Sequence, residues 1–257
     1  MRVTVCELPH EPLALAVAWA ALCRHTTRQQ SELVLLPEFA FVDPVWERES
    51  FDAACWAAAL ARSDAGLARL PELNAPHVVG TRPTGSGGRR FNQGYLWSAG
   101  DGVTPLRCKA FLPEEPGWWE ARWFDRGDPV FPPFQAGGLG FGLNICTELW
   151  ALETYAGYAR QDVQVILSPR ATGAASMARW LSVGVVAAVR SGAFSLSSNR
   201  VDQAGGYGGG GWIIGPDGGI LASTSPDTPF ATVDVDLSAP ASARAGYPCY
   251  VFHGEDG

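Results

Sequence analysis

Lysine is almost missing from this sequence. Of 19 lysine and arginine residues only Lys109 is a lysine, so every other fixed positive charge is an arginine. Histidine is scarce as well: His10, His25, His77 and His253 lie far apart. None has the close spacing of common metal sites, so no metal is expected. The six cysteines (Cys6, Cys23, Cys55, Cys108, Cys146, Cys249) include no CxxC pair. With no signal peptide in view, they are expected to be reduced thiols in a cytoplasmic protein. No apolar run approaches membrane-spanning length, which argues against a membrane partner. The net charge is −7 and no basic stripe is present. That excludes the electrostatic footprint of a nucleic-acid binder.

Core-building material, by contrast, is plentiful. The chain of 257 residues is 47% hydrophobic and carries 10 Trp and 12 Phe, enough to bury a sizeable core. Such a composition excludes disorder and suits one large α/β domain or two small ones. Residues 2–8 alternate as a strand, and Leu15, Ala18, Trp19 and Leu22 recur at helical spacing. "ELVLLPE" (32–38) is a continuous apolar run ended by Pro, the pattern of a buried strand. Residues 47–70 are Ala-rich and helical in character, and 77–83 and 91–98 read as a strand pair joined by "TGSGGRR". The second half repeats this order. Strands are expected at 139–146 and 163–169, helices at 149–161 and 175–191, and strands at 193–199, 211–216, 219–223 and 230–236. The repeat suggests two sheets, each covered by helices, in a four-layer α-β-β-α sandwich within one domain over 1–257. The core would span about 2–236, with a tail over 237–257. The same alternation of strands and helices also permits a doubly wound sheet.

Neither "TGSGGRR" nor "GGYGGGG" carries the GK[ST] ending of a phosphate-binding loop, and both precede strands, where phosphate loops open helices. They read as hairpin turns, and no cofactor is expected. Three other residues stand just past buried strands: Glu38 after "LVLLP", Lys109 after "TPLRC" and Cys146 after "LGFGLNI". Ligands of α/β folds gather at the carboxyl ends of strands, so a carboxylate, an amine and a thiol there form a candidate site. Taken singly, Glu38 also fits a surface carboxylate and Cys146 an inert buried thiol. A helix expected to begin at "CTELWALE" would stabilise a thiolate on Cys146, as a neighbouring ammonium would. Lysine suits such a site because its ammonium is compact, where arginine presents a wide planar fork.

These segments together resemble the nitrilase superfamily of carbon–nitrogen hydrolases. "LVLLPEFAF" is similar to the family's glutamate motif, "RCKAFLP" to its lysine motif and "GLNICTELWALE" to its nucleophile motif, with Glu148 and Glu153 at the two acidic positions. "FNQG", "ILSPRAT", "SSNR" and "GGWIIGPDGGIL" also fall in family order. The resemblance covers about residues 2 to 236 and implies the four-layer sandwich fold. It also implies Glu38 as general base, Cys146 as nucleophile forming a thioester, and Lys109 with the Thr147 backbone N–H as oxyanion donors. "EARWFDRGD" resembles the ExRxFxxGD stretch, which makes Glu120 the second glutamate, orienting Lys109; Glu114 and Glu115 then either line the pocket entrance or are solvated, the second being preferred. Two positions depart from the family pattern: Phe111 stands in place of a His, and Arg190 where a Glu-Asn pair is common. The implied substrate is a small-molecule amide, because nitrilases proper carry Trp directly after the cysteine and this chain has Thr147. Enzymes acting on N-carbamoyl amino acids often place Arg a few residues past the nucleophile, where Leu149 and Trp150 stand here. Arg170 could anchor a substrate carboxylate or sit exposed on its loop, and Trp118 could form an apolar wall or belong to the core. An acyltransferase or a non-catalytic binding module are the rival readings, and the family habit implies a homodimer.

Overall fold

The computed structural model describes residues 1–252, so His253 and the end of the expected tail lie outside the described residues. The first half comprises β1 (Arg2–Pro9), α1 (Pro12–Gln29), β2 (Leu33–Leu35), α2 (Ala53–Leu67), β3 (His77–Ser86), β4 (Arg89–Ser98) and β5 (Gly102–Cys108). A short helix, α3 (Glu120–Trp123), leads into the second half. There follow β6 (Phe134–Ala136), β7 (Leu139–Leu143), α4 (Glu153–Arg160), β8 (Val165–Pro169) and α5 (Met177–Ser191). The chain continues through β9 (Phe194–Val201), β10 (Trp212–Ile214), β11 (Ile220–Ser223), β12 (Phe230–Asp234) and α6 (Ala239–Ala245). Among the described residues no helix is long and apolar enough to cross a membrane.

The strand period of two builds the layers. Val3, Val5, Leu33, Leu35 and Val79 of one sheet share a core with Phe141, Leu143, Val165, Leu167, Phe194 and Leu196 of the other. Their sequence neighbours point outward to the helices. Cys6, Val34 and Val78 pack with Leu15, Trp19 and Leu22 of α1. On the other side Ile166, Trp212 and Ile214 pack with Tyr155 and Tyr158 of α4 and Val183 and Ala187 of α5. Gly142 shows how closely these layers approach: a Cβ there would lie 2.4 Å from the ring of Tyr158. The result is the four-layer α-β-β-α arrangement.

The expectation of two separate sheets needs one correction. β1 pairs antiparallel with β12 from Arg2 to Cys6, then leaves it and pairs parallel with β9 from Glu7 to Pro9. The eight residues of β1 are long enough to serve both, so the strands form one continuous sheet ordered β5-β4-β3-β2-β1-β9-β8-β7-β6. A second correction bears on the site. The strand expected over 139–146 stops at Leu143, and the helix expected from 149 starts at Glu153, with a 3-10 turn over Cys146–Trp150 between them.

Candidate active site

Four buried side chains meet where strand ends and α3 come together. Glu38, Lys109, Glu120 and Cys146 are each no more than 4% exposed. The Lys109 ammonium donates to Glu38 Oε1 at 2.9 Å and to both oxygens of Glu120 at 2.8 Å. Asn92 Nδ2 donates to the same Glu38 Oε1 at 2.7 Å. Among the described residues Lys109 is the only cation in contact with the two carboxylates. Burial pulls the Lys109 ammonium toward its neutral form, but the charges of Glu120 and Glu38 outweigh it and hold its pKa above the ordinary lysine value.

The segments that carry Glu38 and Cys146 are locked by buried partners. Phe39, directly after Glu38, has φ 51°, and Cys146 has φ 49°, a left-handed conformation that bulky side chains rarely adopt. Such strain costs about 1–3 kcal/mol per residue and persists only where surrounding contacts impose it. At Phe39 these are the Thr81 hydroxyl, accepting from the Phe39 N–H at 2.8 Å, and the buried Arg200, donating to the Phe39 carbonyl at 2.7 Å and to that of Val42. At Cys146 the lock is Glu148. Its carboxylate accepts from the Ile145 N–H at 2.9 Å, from the Ala110 N–H at 2.7 Å and from the buried Arg107 guanidinium. One carboxylate therefore clamps the residue before the cysteine to the residue after the lysine. This is why β7 ends early: the backbone turns to meet a carboxylate rather than a neighbouring strand.

The thiol is at the floor of a cavity of about 410 Å³, lined by Glu120, Thr147, Trp118, Trp150, Trp180, Glu115 and Arg179 among others. Burial and then the charge of Glu38 push the Cys146 thiol well above the ordinary thiol range, against the pull of Lys109. This favours the neutral thiol over the thiolate expected from a helix N-terminus, so a base would be needed before the sulfur could act as a nucleophile. Burial, opposed by Lys109 and aided by Glu38, pushes Glu120 up to about 7 from the ordinary carboxyl value of 4.5. Protonated Glu120 is favoured by the fold, so its contribution to stability is complete below about 4.5 and is lost as pH rises through about 7. Ionised Glu120 is the form that holds Lys109. Activity is therefore expected to rise with pH through an apparent value near 7 that belongs to the whole cluster. A kcat/KM profile should show this acid limb in the wild type and lose it in Glu120→Gln; an identical limb in both would contradict the assignment.

The sequence profile described as carbon-nitrogen hydrolase matches residues 2–245. The chain belongs to that family. Its architecture agrees: a carbon-nitrogen hydrolase from Helicobacter pylori superposes with a TM-score of 0.85 at 18% identity, over 98% of this chain and 94% of that one. A mutant amidase from Nesterenkonia sp. AN1 superposes with a TM-score of 0.75 at 20% identity, over 95% of this chain and 97% of that one. An N-carbamoylputrescine amidase from Oryza sativa subsp. japonica is 24% identical over 160 residues, 55% of this chain and 53% of that enzyme. Plant enzymes of that name match over only 23% to 53% of their own length.

In this carbon-nitrogen hydrolase Glu38, Lys109, Glu120 and Cys146 come together, and Thr147 and Trp118 line the cavity. Arg170 does not. It is fully buried, and its guanidinium is spent on Ser197 Oγ at 2.6 Å, Thr172 Oγ1 at 2.9 Å and the Gly210 carbonyl at 2.8 Å, with its face over Trp212. It serves the site through its backbone, accepting the Glu38 N–H at 3.1 Å. Glu114 pairs with Arg122 at the surface, whereas Glu115 lines the cavity, the less preferred of its two expected places. Trp119 packs in the aromatic cluster beside Phe39 and Trp46. Phe111 stacks on Phe131 at 6.2 Å, and Arg190 lies over the ring of Phe252 at 4.5 Å. Sequence reasoning gave no site role to Asn92, Arg107 or Arg179. Asn92 lies in "FNQG" and Arg107 in "RCK", both inside quoted motifs, but nothing in residue type reveals which partner either would reach. Among the described residues no group of three His, Cys, Asp or Glu side chains is arranged to hold a metal ion.

Proposed function

We propose that this enzyme hydrolyses a small-molecule amide to a carboxylate and ammonia or an amine through a thioester on Cys146. The observation that carries this reading is the buried Glu38–Lys109–Glu120 cluster acting on a thiol that opens to a cavity. Glu38 accepts the thiol proton as sulfur attacks the carbonyl carbon. Lys109 and the Thr147 N–H receive the oxyanion, and such donors each lower the barrier by about 3–4 kcal/mol. Glu38 then gives its proton to the departing nitrogen, and the C–N bond breaks. Water, losing a proton to Glu38, attacks the thioester carbon; the acid leaves and the thiol is restored. The Nesterenkonia amidase, whose active-site cysteine takes up acrylamide by Michael addition, supports a nucleophilic role for Cys146. The test is ammonia release from primary amides, ω-amides of dicarboxylic acids, N-carbamoyl amino acids and nitriles, run beside Cys146→Ala. Turnover of one class, lost in the variant, is the expected result. Silence across the panel would favour transfer of the acyl group to an amine instead of water.

The far end of the substrate meets Arg179. It is exposed at the cavity wall beside Trp150 and Trp180, and no ion pair engages it among the described residues. Arg179→Met is expected to raise KM about tenfold for an amide bearing a carboxylate, the loss of about one charge-assisted hydrogen bond. KM for an uncharged amide of equal length should stay unchanged. Equal effects on both would remove Arg179 from substrate selection.

A further inference from the structure

Glu38 is held asymmetrically. Lys109 Nζ and Asn92 Nδ2 both donate to Oε1, at 2.9 and 2.7 Å, and no donor among the described residues reaches Oε2. Asn92 itself is fully buried in β4, and its backbone carbonyl accepts the Lys109 N–H at 2.8 Å. Among the described residues no group pairs with its buried side-chain oxygen, Oδ1. Its amide nitrogen is the half that is used. With two donors on Oε1, the proton-accepting capacity of the carboxylate is concentrated on the other oxygen.

We propose that Asn92 is a positioning residue for the reaction: with Lys109 it fixes Glu38 through Oε1 and leaves Oε2 as the oxygen that takes the proton of Cys146. This rests on Glu38 acting as the base of Cys146. In that step the S–H bond breaks, an O–H bond forms at Oε2, and the sulfur pair becomes free to attack. Lys109 keeps one N–H for the oxyanion after giving one to Glu38 and one, shared between two oxygens, to Glu120. Removing Asn92 Nδ2 leaves Lys109 as the one donor to Oε1, so the Glu38 carboxylate is held less firmly and Oε2 is no longer fixed as the proton acceptor.

The reaction of Cys146 with iodoacetamide tests this without any knowledge of the substrate. The thiol proton passes to Glu38, the C–S bond forms and iodide leaves. The rate is read from the Cys146 peptide by mass spectrometry, with the buried Cys6 in the same digest as a reference. Asn92→Leu keeps the approximate volume and removes the donor, while Asn92→Asp keeps the shape and replaces the donor with an acceptor. Both are expected to slow alkylation of Cys146 by at least about tenfold, a fraction of what general-base catalysis contributes. A merely structural role predicts the opposite sign, since loosened packing would expose Cys146 and Cys6 and speed both. Glu38→Gln separates the two levels of the proposal. If it slows Cys146 while both Asn92 variants react at the wild-type rate, the role of Asn92 is overturned. If Glu38→Gln also reacts at the wild-type rate, Glu38 is not the base, and the proposal falls with that reading. Should Asn92→Leu fail to fold, Asn92→Asp carries the same test.

Discussion

Lys109→Arg is expected to fold and to turn over its amide at least about 1,000-fold more slowly than the wild type, at the upper end of what one oxyanion donor contributes. The charge is conserved, so Glu38 and Glu120 keep a cation and the large penalty of unpaired buried carboxylates is avoided. What changes is shape. The ammonium is fully buried, at hydrogen-bond distance from Oε1 of Glu38 and from both oxygens of Glu120. A guanidinium is a planar fork several atoms wide, and to satisfy the same carboxylates it must extend into the space the substrate oxygen needs. Lys109→Met separates charge from shape, since it strips the counter-ion from two buried carboxylates and should lose stability as well as activity. Thermal unfolding and kcat/KM of the two variants read the two effects apart. Substantial turnover by Lys109→Arg would refute the role given to the sole lysine of the chain.

Arg107→Met is expected to destabilise the protein by about 3–5 kcal/mol, because it leaves the fully buried Glu148 carboxylate without its cation. For a chain of this size that lowers Tm by roughly 10 °C. Arg107 is itself sandwiched, with its guanidinium 4.0 Å from the centroid of Phe131 and its Nε donating to the Val130 carbonyl at 3.1 Å. The cost, however, comes mainly from the orphaned carboxylate, and this gives a sharper test than the single change. Arg107→Met combined with Glu148→Gln should recover at least half of the lost stability, since a neutral amide tolerates burial far better than an unpaired anion. Activity should stay low in the double variant. The carboxylate accepts from Ala110 on one oxygen and from Ile145 on the other; an amide has an NH2 group in place of one of these acceptors, so the loop carrying Cys146 loses its clamp to the lysine segment. Urea midpoints of the two single variants and the double variant measure the coupling. A double variant no more stable than Arg107→Met would show that packing of the arginine, not pairing, is what matters.

The sandwich was legible because its period is simple. Val3, Val5, Leu33, Leu35, Val165 and Leu167 alternate with outward-facing neighbours, and a continuous apolar run such as "LVLL" marks a strand covered on both faces. The continuity of the sheet was not legible, because it depends on Glu7 to Pro9 leaving one partner for another, and no residue type encodes a partner. At the site, Glu38, Lys109, Glu120 and Cys146 stood out through family motifs and through the scarcity of lysine. Arg170 misled because a guanidinium in "SPRAT" reads the same whether it faces a ligand or is spent on Ser197, Thr172 and Gly210. The end of β7 misled for a related reason. "LGFGLNIC" returns to apolar residues after Asn144, but a carboxylate three residues past Ile145 captures its N–H and turns the chain. Patterns of polarity report which side of an element is buried; they do not report which buried polar groups find each other.

The central claim is that Cys146 carries the acyl group, and intact-protein mass spectrometry of enzyme quenched during turnover tests it most directly. The account predicts a mass increase equal to the amide substrate less ammonia or amine, located on the Cys146 peptide and absent from Cys146→Ala, which releases no ammonia. Steady ammonia release with no adduct on Cys146, undiminished in Cys146→Ala, would contradict it.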